Sequence, residues 1–373
     1  MLSFDNPVLP NTEVIVAAVG DVLLHDVVQR TAMSQPDGFA GLWRPVADLL
    51  RAAHVTYANL EGPVAPGVAV DGTLVDHPVD GFDGYVYSGY PMFNYPPAVI
   101  PALAQAGVDI VSTANNHSLD RYAIGIDRTI EQLRAAGIAH TGTRMRTETA
   151  DDWHAITETG DYRIAWLACT YGTNGIEDRD RQVLMCYEHR DLILDEITRL
   201  STRPDIDAVI FTPHWGEEYT HNPLSRQREL AHQAIEAGAT AVIGNHPHVV
   251  QPFERYRSSD GRERFIAYSL GNFVSNQRTL NRRSSLILLL SLAESPEGDL
   301  SVAAVRWVPI HVNFQAGVDG TGIAVEAIDR TGQGYDSRAL LVDLLGEDGI
   351  APPQPPFTAL GDCGAPAAVA MSR

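Results

Sequence analysis

Residues 241–254 read AVIGNHPHVVQPFE. Three apolar residues open the stretch as a strand, Gly244-Asn245 breaks it, and two histidines follow with a single proline between them. Histidine is costly to bury and titrates easily, so a pair at the mouth of a buried strand either stabilises a turn or reaches one ligand. A tight turn at Pro247 aims both rings, His246 and His248, at one point.

The same grammar recurs along the chain: a short β-rich apolar run, a polar turn, then a helix-like segment. Strands are expected over 14–21, 54–63, 107–117, 163–170, 208–216, from 241 and over 265–273, with helices over 22–34, 46–53, 97–106, 125–136, 190–200 and 225–237. Strands apolar on both faces and alternating with helices indicate an α/β architecture with a covered sheet. Beyond Asn276 the runs LILLLSL and LSVAAVRWVPIHV read as antiparallel strands closing the sheet. One domain over 1–350 is therefore expected. A Pro/Ala/Gly-rich stretch over 351–373 reads as a loose tail, and an irregular aromatic loop over 71–97 as a cover for the site.

In open α/β sheets, ligands collect where the carboxyl ends of strands open into loops. The expected strand ends deliver Asp21, with His25 beyond it; Glu61; Asn116 and His117, with Asp120 following; His214, with Glu218 beyond; and His246 with His248. Each has an ordinary reading on its own: Asp21 as a helix N-cap, Glu61 as a turn carboxylate, Asn116-His117 as a capped turn, His214 as a core histidine. Taken together, Asp21, Glu61, Asn116, His214, His246 and His248 suit a divalent metal. Two carboxylates, one amide and three imidazoles exceed the needs of one tetrahedral ion, so two ions are expected. Mn, Zn, Fe, Ca and Mg each fit some subset of these donors.

Composition narrows the partners. Lys+Arg at 27 against Asp+Glu at 47 gives a net charge of −20, which repels phosphate backbones and anionic membranes, so neither nucleic acid nor membrane is an expected partner. Cys169, Cys186 and Cys363 have no paired spacing and read as free thiols of a reducing compartment, giving a cytoplasmic expectation. The apolar run at 14–19 is too short to span a bilayer.

The set GDVLLHD, ANLEGP, ANNHSLD, HWGEEY, IGNHPHVVQPFE and YSLGNFV, in this order between Gly20 and Val274, closely resembles the poly-γ-glutamate capsule-biosynthesis (CapA-like) family of the calcineurin-like metallophosphatase superfamily. The resemblance implies a four-layer αββα sandwich with a two-metal site at the strand carboxyl ends. By position it makes Asp21, Glu61, Asn116, His214, His246 and His248 the ligands, with Glu61 or Asn116 as bridge. His117 matches the histidine that assists a phosphatase leaving group, with Asp120 orienting it. The phosphatase pattern Asp-x-His is absent after Asp21, and Glu61 stands where phosphatases carry aspartate. Both departures are usual in the CapA-like branch, and His25 is a candidate for the vacated space.

Two reaction classes suit such a centre, beside a purely structural binding role. One is hydrolysis of a phosphoester or amide. The other is inversion at a peptide Cα, in which a carbonyl is polarised while one group removes a proton and another returns it; the resembled family includes a lasso-peptide epimerase. The aromatic loop (Tyr85, Tyr87, Tyr90, Phe93, Tyr95), the charge of −20 and the absence of an anchor-like segment favour a peptide or polyamide substrate and the epimerase. The acid/base candidates are His25, His117 with Asp120, and Glu218. The alternatives are a dinuclear phosphoesterase, an amide hydrolase or a capsule-biosynthesis role.

Overall fold

The computed structural model describes residues 2–75, 81–148, 153–316, 322–355 and 357. A short edge strand, β1 (Leu2–Ser3), precedes β2 (Val14–Val22), which pairs in parallel with β3 (Val55–Leu60); β4 (Ile110–Ser112) and β5 (Ala139–Thr141) continue in parallel. A second sheet is then built from β6 (His154–Thr159), β7 (Tyr162–Thr170), β8 (Ala208–His214), β9 (Ala241–Ile243), β10 (Phe253–Arg257) and β11 (Glu263–Ala267), in the spatial order β10-β11-β9-β8-β7-β6. The chain then returns to the first sheet. There β12 (Asn272–Val274) pairs in parallel with β2, while β13 (Ser284–Glu294), β14 (Leu300–Ala316) and β15 (Gly322–Ala327) extend it antiparallel.

Alternate residues of each strand separate the layers. Val14, Val16 and Ala18 of β2 and Leu286, Leu288, Leu290 and Leu292 of β13 face Ile164, Trp166, Ile210, Ile243 and Phe265 of the second sheet. Their neighbours Ile15, Ala17, Val19, Ile287 and Leu289 face outward onto the helices Asp26–Ser34, Ala47–Arg51 and Val99–Ala106. Leu167, Val209, Phe211, Val242 and Ile266 face the helices Arg190–Ser201 and Ser225–Glu236 on the opposite outer side. Period-two patterning buried on both faces of both sheets thus yields a four-layer αββα sandwich. Tyr57 stacks on Trp166 across the sheets with ring centroids 5.5 Å apart.

Several expectations need correction. The helix expected from residue 22 starts at Asp26, because β2 continues through Val22, which pairs with Leu60. Residues 265–273 form no single strand: β11 ends at Ala267 in the second sheet and β12 begins at Asn272 in the first. At that crossing Gly271 has φ +72°, and its carbonyl oxygen would lie 1.8 Å from a Cβ placed on Gly20. Replacing Gly20 with alanine forces the two strands apart and should cost about 1–3 kcal/mol. A melting curve with a parallel metal titration checks this, since Asp21 and Asn272 would move together.

The cysteine reading is also overturned. Cys169 at the end of β7 and Cys186 form a disulfide, and the parallel bridge between Thr170 and Met185 places them side by side. The ground for a reducing, cytoplasmic setting is removed, because disulfides persist in oxidising compartments. Among the described residues, no helix is long and apolar enough to cross a membrane. Cys363 and most of the expected tail over 351–373 lie outside the described residues, but Ala351 and Phe357 are buried against the body. Part of the expected loop over 71–97, residues 76–80, also lies outside them. The rest is irregular, with Tyr87, Phe93 and Tyr95 buried and Tyr85 and Tyr90 exposed.

Candidate metal centre

Sheet register sets the level of the site. In the first sheet Asp21 pairs with Asn59 of β3 and with Asn272 of β12; in the second, His214 pairs with Thr170 of β7 and bridges to Asn245. Two rows of polar residues therefore meet above the apolar layer between the sheets. Just past β9, His246 has φ +99° and His248 φ +57°, on either side of Pro247. Left-handed backbone at two non-glycine residues costs about 1–3 kcal/mol each, and it turns both rings toward the same cup.

Glu61 is the hub. Its Oε1 lies 3.5 Å from His214 Nε2 and 3.8 Å from His248 Nε2, too long for hydrogen bonds but near the spacing of about 3.4 Å between donors around one tetrahedral ion. Ligand atoms of Asp21, Glu61 and His248 lie within 4.8 Å of one another, as do those of Glu61, His214 and His246 and those of Glu218, His246 and His248. Asn116 Oδ1 joins the second group at 2.8 Å from His214 Nε2. All six residues expected as ligands are thus brought together. Glu218, expected as an acid or base, is placed among the ligand-capable groups instead.

The donor set fits a cation. Among the described residues, both carboxylate oxygens of Glu61 and Nδ1 of His246 are buried without a hydrogen-bond partner. Burial, followed by the negative charge of Asp21, pushes the Glu61 carboxyl well above its ordinary value. Burial pulls His214 and His246 well below theirs, so both rings are neutral donors. Burial opposes a charge on His248 as well, but Glu61 and Asp21 overcome it and bring the ring up to about 9. In the bare chain a proton on His248 thus does part of the work of a cation. His248 Nδ1 lies 3.1 Å from Asp21 Oδ2 and 3.0 Å from Asn272 Oδ1. Both are acceptors, so Nδ1 carries the hydrogen and Nε2 faces Glu61.

The remaining expected residues form the wall. His117 Nδ1 lies 2.7 Å from Asp120 Oδ2, which also accepts the Phe93 N–H at 2.6 Å. His25 is half-buried, and its ring packs edge-on to Phe93 at 5.4 Å, while His117 packs on the same ring at 4.7 Å. Burial, partly offset by the Leu23 carbonyl, lowers His25 to about 4, and the fields of His248 and His117 reach it.

Sequence reading missed several neighbours. Asn59 Nδ2 donates to Asp21 Oδ1 at 2.8 Å and lies 3.1 Å from His214 Nδ1. Asn272 fixes His248. Tyr171 packs on His246 at 4.4 Å, and Asn174 reaches Asn116 at 3.2 Å and His117 at 3.3 Å. Asn59 and Asn272 stand beside recognised strand-end residues, while Tyr171 and Asn174 follow the end of β7; the strand-end rule applied to every strand finds all four. Gln251 and Glu254 of the opening stretch brace the helix Ser225–Glu236: Gln251 accepts from Gln227, and Glu254 binds His232 and Tyr268.

Residues 15–277 match the family described as Bacterial capsule synthesis protein PGA_cap, a span holding every residue of the cup named above. The capsule biosynthesis protein CapA of Bacillus anthracis is 29% identical over 211 residues, 56% of this chain and 50% of that protein. The PGA biosynthesis protein CapA of Bacillus subtilis (strain 168) is 24% identical over 288 residues, 77% of this chain and 70% of that protein. The chain thus spans half the length of the first relative. Among solved structures, the NAD nucleotidase of Haemophilus influenzae aligns with a TM-score of 0.47 at 12% identity, over 91% of this chain and 57% of that one. On the match over residues 15–277, the chain belongs to the bacterial capsule synthesis protein PGA_cap family.

Proposed function

We propose that the protein is a metal-dependent enzyme acting on a polyamide chain, and that its reaction is inversion at a Cα next to an amide carbonyl. Asp21, Glu61 and His248 would hold one divalent ion, and Glu61, His214, His246 and Asn116 a second, with Glu61 as bridge. Cations there supply Lewis acidity to a substrate carbonyl. The polyamide assignment draws on the relatives named for capsule and PGA biosynthesis.

The observation that carries the reaction class is that two imidazoles, His117 and His25, stand at the cup but outside its ligand groupings. Inversion needs one group to take a proton from carbon and another to return one, whereas hydrolysis needs a single leaving-group acid. Asp120 orients His117 and stabilises its charge when the ring takes a proton. His25, held neutral by burial, is the second base, packed on the same Phe93 ring as His117.

The test is turnover of a synthetic peptide or γ-glutamyl oligomer in D2O with manganese. Inversion predicts one deuterium at each inverted Cα and an intact chain. Shortened chains without deuterium at carbon would remove the epimerase reading in favour of amide hydrolysis, and phosphate released from an aryl phosphodiester would favour a phosphoesterase.

A further inference from the structure

We infer that Arg282, stacked on Tyr219 at the mouth of the cup, is a binding site for a carboxylate of the polyamide substrate; this rests on the proposed polyamide reading. The Arg282 guanidinium carbon lies 3.4 Å from the Tyr219 ring centroid, and that ring lies 6.0 Å from the ring of His248. Both halves of the stack are tied to the His246-Pro247-His248 turn. The Tyr219 N–H donates to the Pro247 carbonyl at 2.8 Å. The Arg282 carbonyl accepts from Asn272 Nδ2 at 2.9 Å, and the same Asn272 holds His248 through its Oδ1 at 3.0 Å. The cation is therefore fixed relative to the metal ligands by backbone bonds at either end.

Its donors are free. Among the described residues, no carboxylate lies within ion-pairing distance of Arg282, and none of its guanidinium N–H groups bonds to a protein group. Stacking occupies the face of the guanidinium and leaves its edge open for the bidentate geometry a carboxylate accepts. A net charge of −20 repels an acidic chain, so a carboxylate arriving beside Asp21, Glu61 and Glu218 needs a local cation. Arg278 on the same turn offers the contrast: it is exposed, packs over Phe314 at 4.6 Å and bonds to Asn276.

Two sources share this chemistry: the α-carboxylates along a γ-linked glutamate chain, and the terminal carboxylate of an α-linked peptide. The test is calorimetric binding, to the manganese-loaded protein, of a γ-glutamate oligomer, an α-linked peptide acid and the same peptide as its C-terminal amide. The wild type is expected to bind at least one of the acids. Arg282→Gln should weaken that binding by about tenfold or more, and Arg278→Gln by no more than about twofold, with manganese affinity unchanged in both. Preference for the oligomer assigns the site to the α-carboxylates along the γ-linked chain, whereas loss on amidation assigns it to the chain terminus. Equal binding by Arg282→Gln, or equal losses in the two variants, overturns the inference alone. Failure of both acids to bind the wild type overturns it together with the polyamide reading. Carboxylate-dependent binding without turnover leaves the subsite standing and removes the proposed reaction.

Discussion

Replacing Glu61 with glutamine is expected to move the stability of the protein in opposite directions with and without metal. Glu61 is fully buried, with no hydrogen bond to either oxygen from the described residues. Desolvation and the charge of Asp21 raise its carboxyl well above its ordinary value near 4.5, even though the charge of His248 pulls the other way. In the unfolded chain the group ionises near 4.5, while in the folded chain it keeps its proton to higher pH. The folded state then binds more protons over that interval, and stability falls as pH rises from about 4.5 toward the raised value. Glutamine has no charge to desolvate. The metal-free variant should therefore be more stable than wild type at neutral pH by about 1–3 kcal/mol, the scale of a buried group lacking a partner, with a flatter pH profile. His248, at about 9, adds stability that is full below 6.5 and is lost as pH rises through 9. That contribution should shrink in the variant, because Glu61 is the first of the charges sustaining it. With manganese at about a hundred times its dissociation constant, wild type should gain about 2.7 kcal/mol and the variant close to none. Melting curves at several pH values, with metal and with chelator, read both signs. A variant that melts lower in chelator and is still stabilised by manganese would falsify the hub role.

Much of the cup was legible because its residues stand at breaks in local pattern. Asp21 follows an apolar run of period two, and His246-Pro247-His248 follows another, so sequence alone exposes both the strand and its end. Asn59 and Asn272 were not assigned, because their part depends on register: each lies opposite Asp21 only once β3 and β12 pair with β2. The same limit hid the Cys169–Cys186 bond, whose partners are 17 residues apart and meet through the Thr170–Met185 bridge. Residues 265–273 read as one apolar strand because hydrophobicity does not report which sheet a segment joins. Glu218 was read as an acid or base from its place after a strand, while its distances to His246 and His248 make it ligand-capable. The edge strands β6 and β10, partly exposed and weakly patterned, gave no clear period.

Loss of the His117 ring should produce the second large effect, and Asp120 separates the chemical from the structural part of it. His117→Gln keeps a polar group beside Asn174 but removes the proton carrier. Turnover should fall by about 10²–10⁴-fold with manganese affinity unchanged, since His117 belongs to none of the ligand groupings. Asp120 is subtler. Its Oδ2 takes both His117 Nδ1 and the Phe93 N–H, while Oδ1 is buried without a partner. Asparagine can set its carbonyl oxygen in the Oδ2 position and its amide in the orphaned one, so Asp120→Asn should fold and melt near wild type. It cannot stabilise a positive imidazole, because the negative charge is gone. The variant should therefore lose turnover at unchanged metal affinity. Asp120→Ala drops both bonds and frees Phe93, the ring on which both His117 and His25 pack, and should destabilise the fold by about 1–3 kcal/mol as well. If Asp120→Asn retained full turnover, the pair would be a structural tie for the aromatic loop, and the proton carrier would have to be sought at His25.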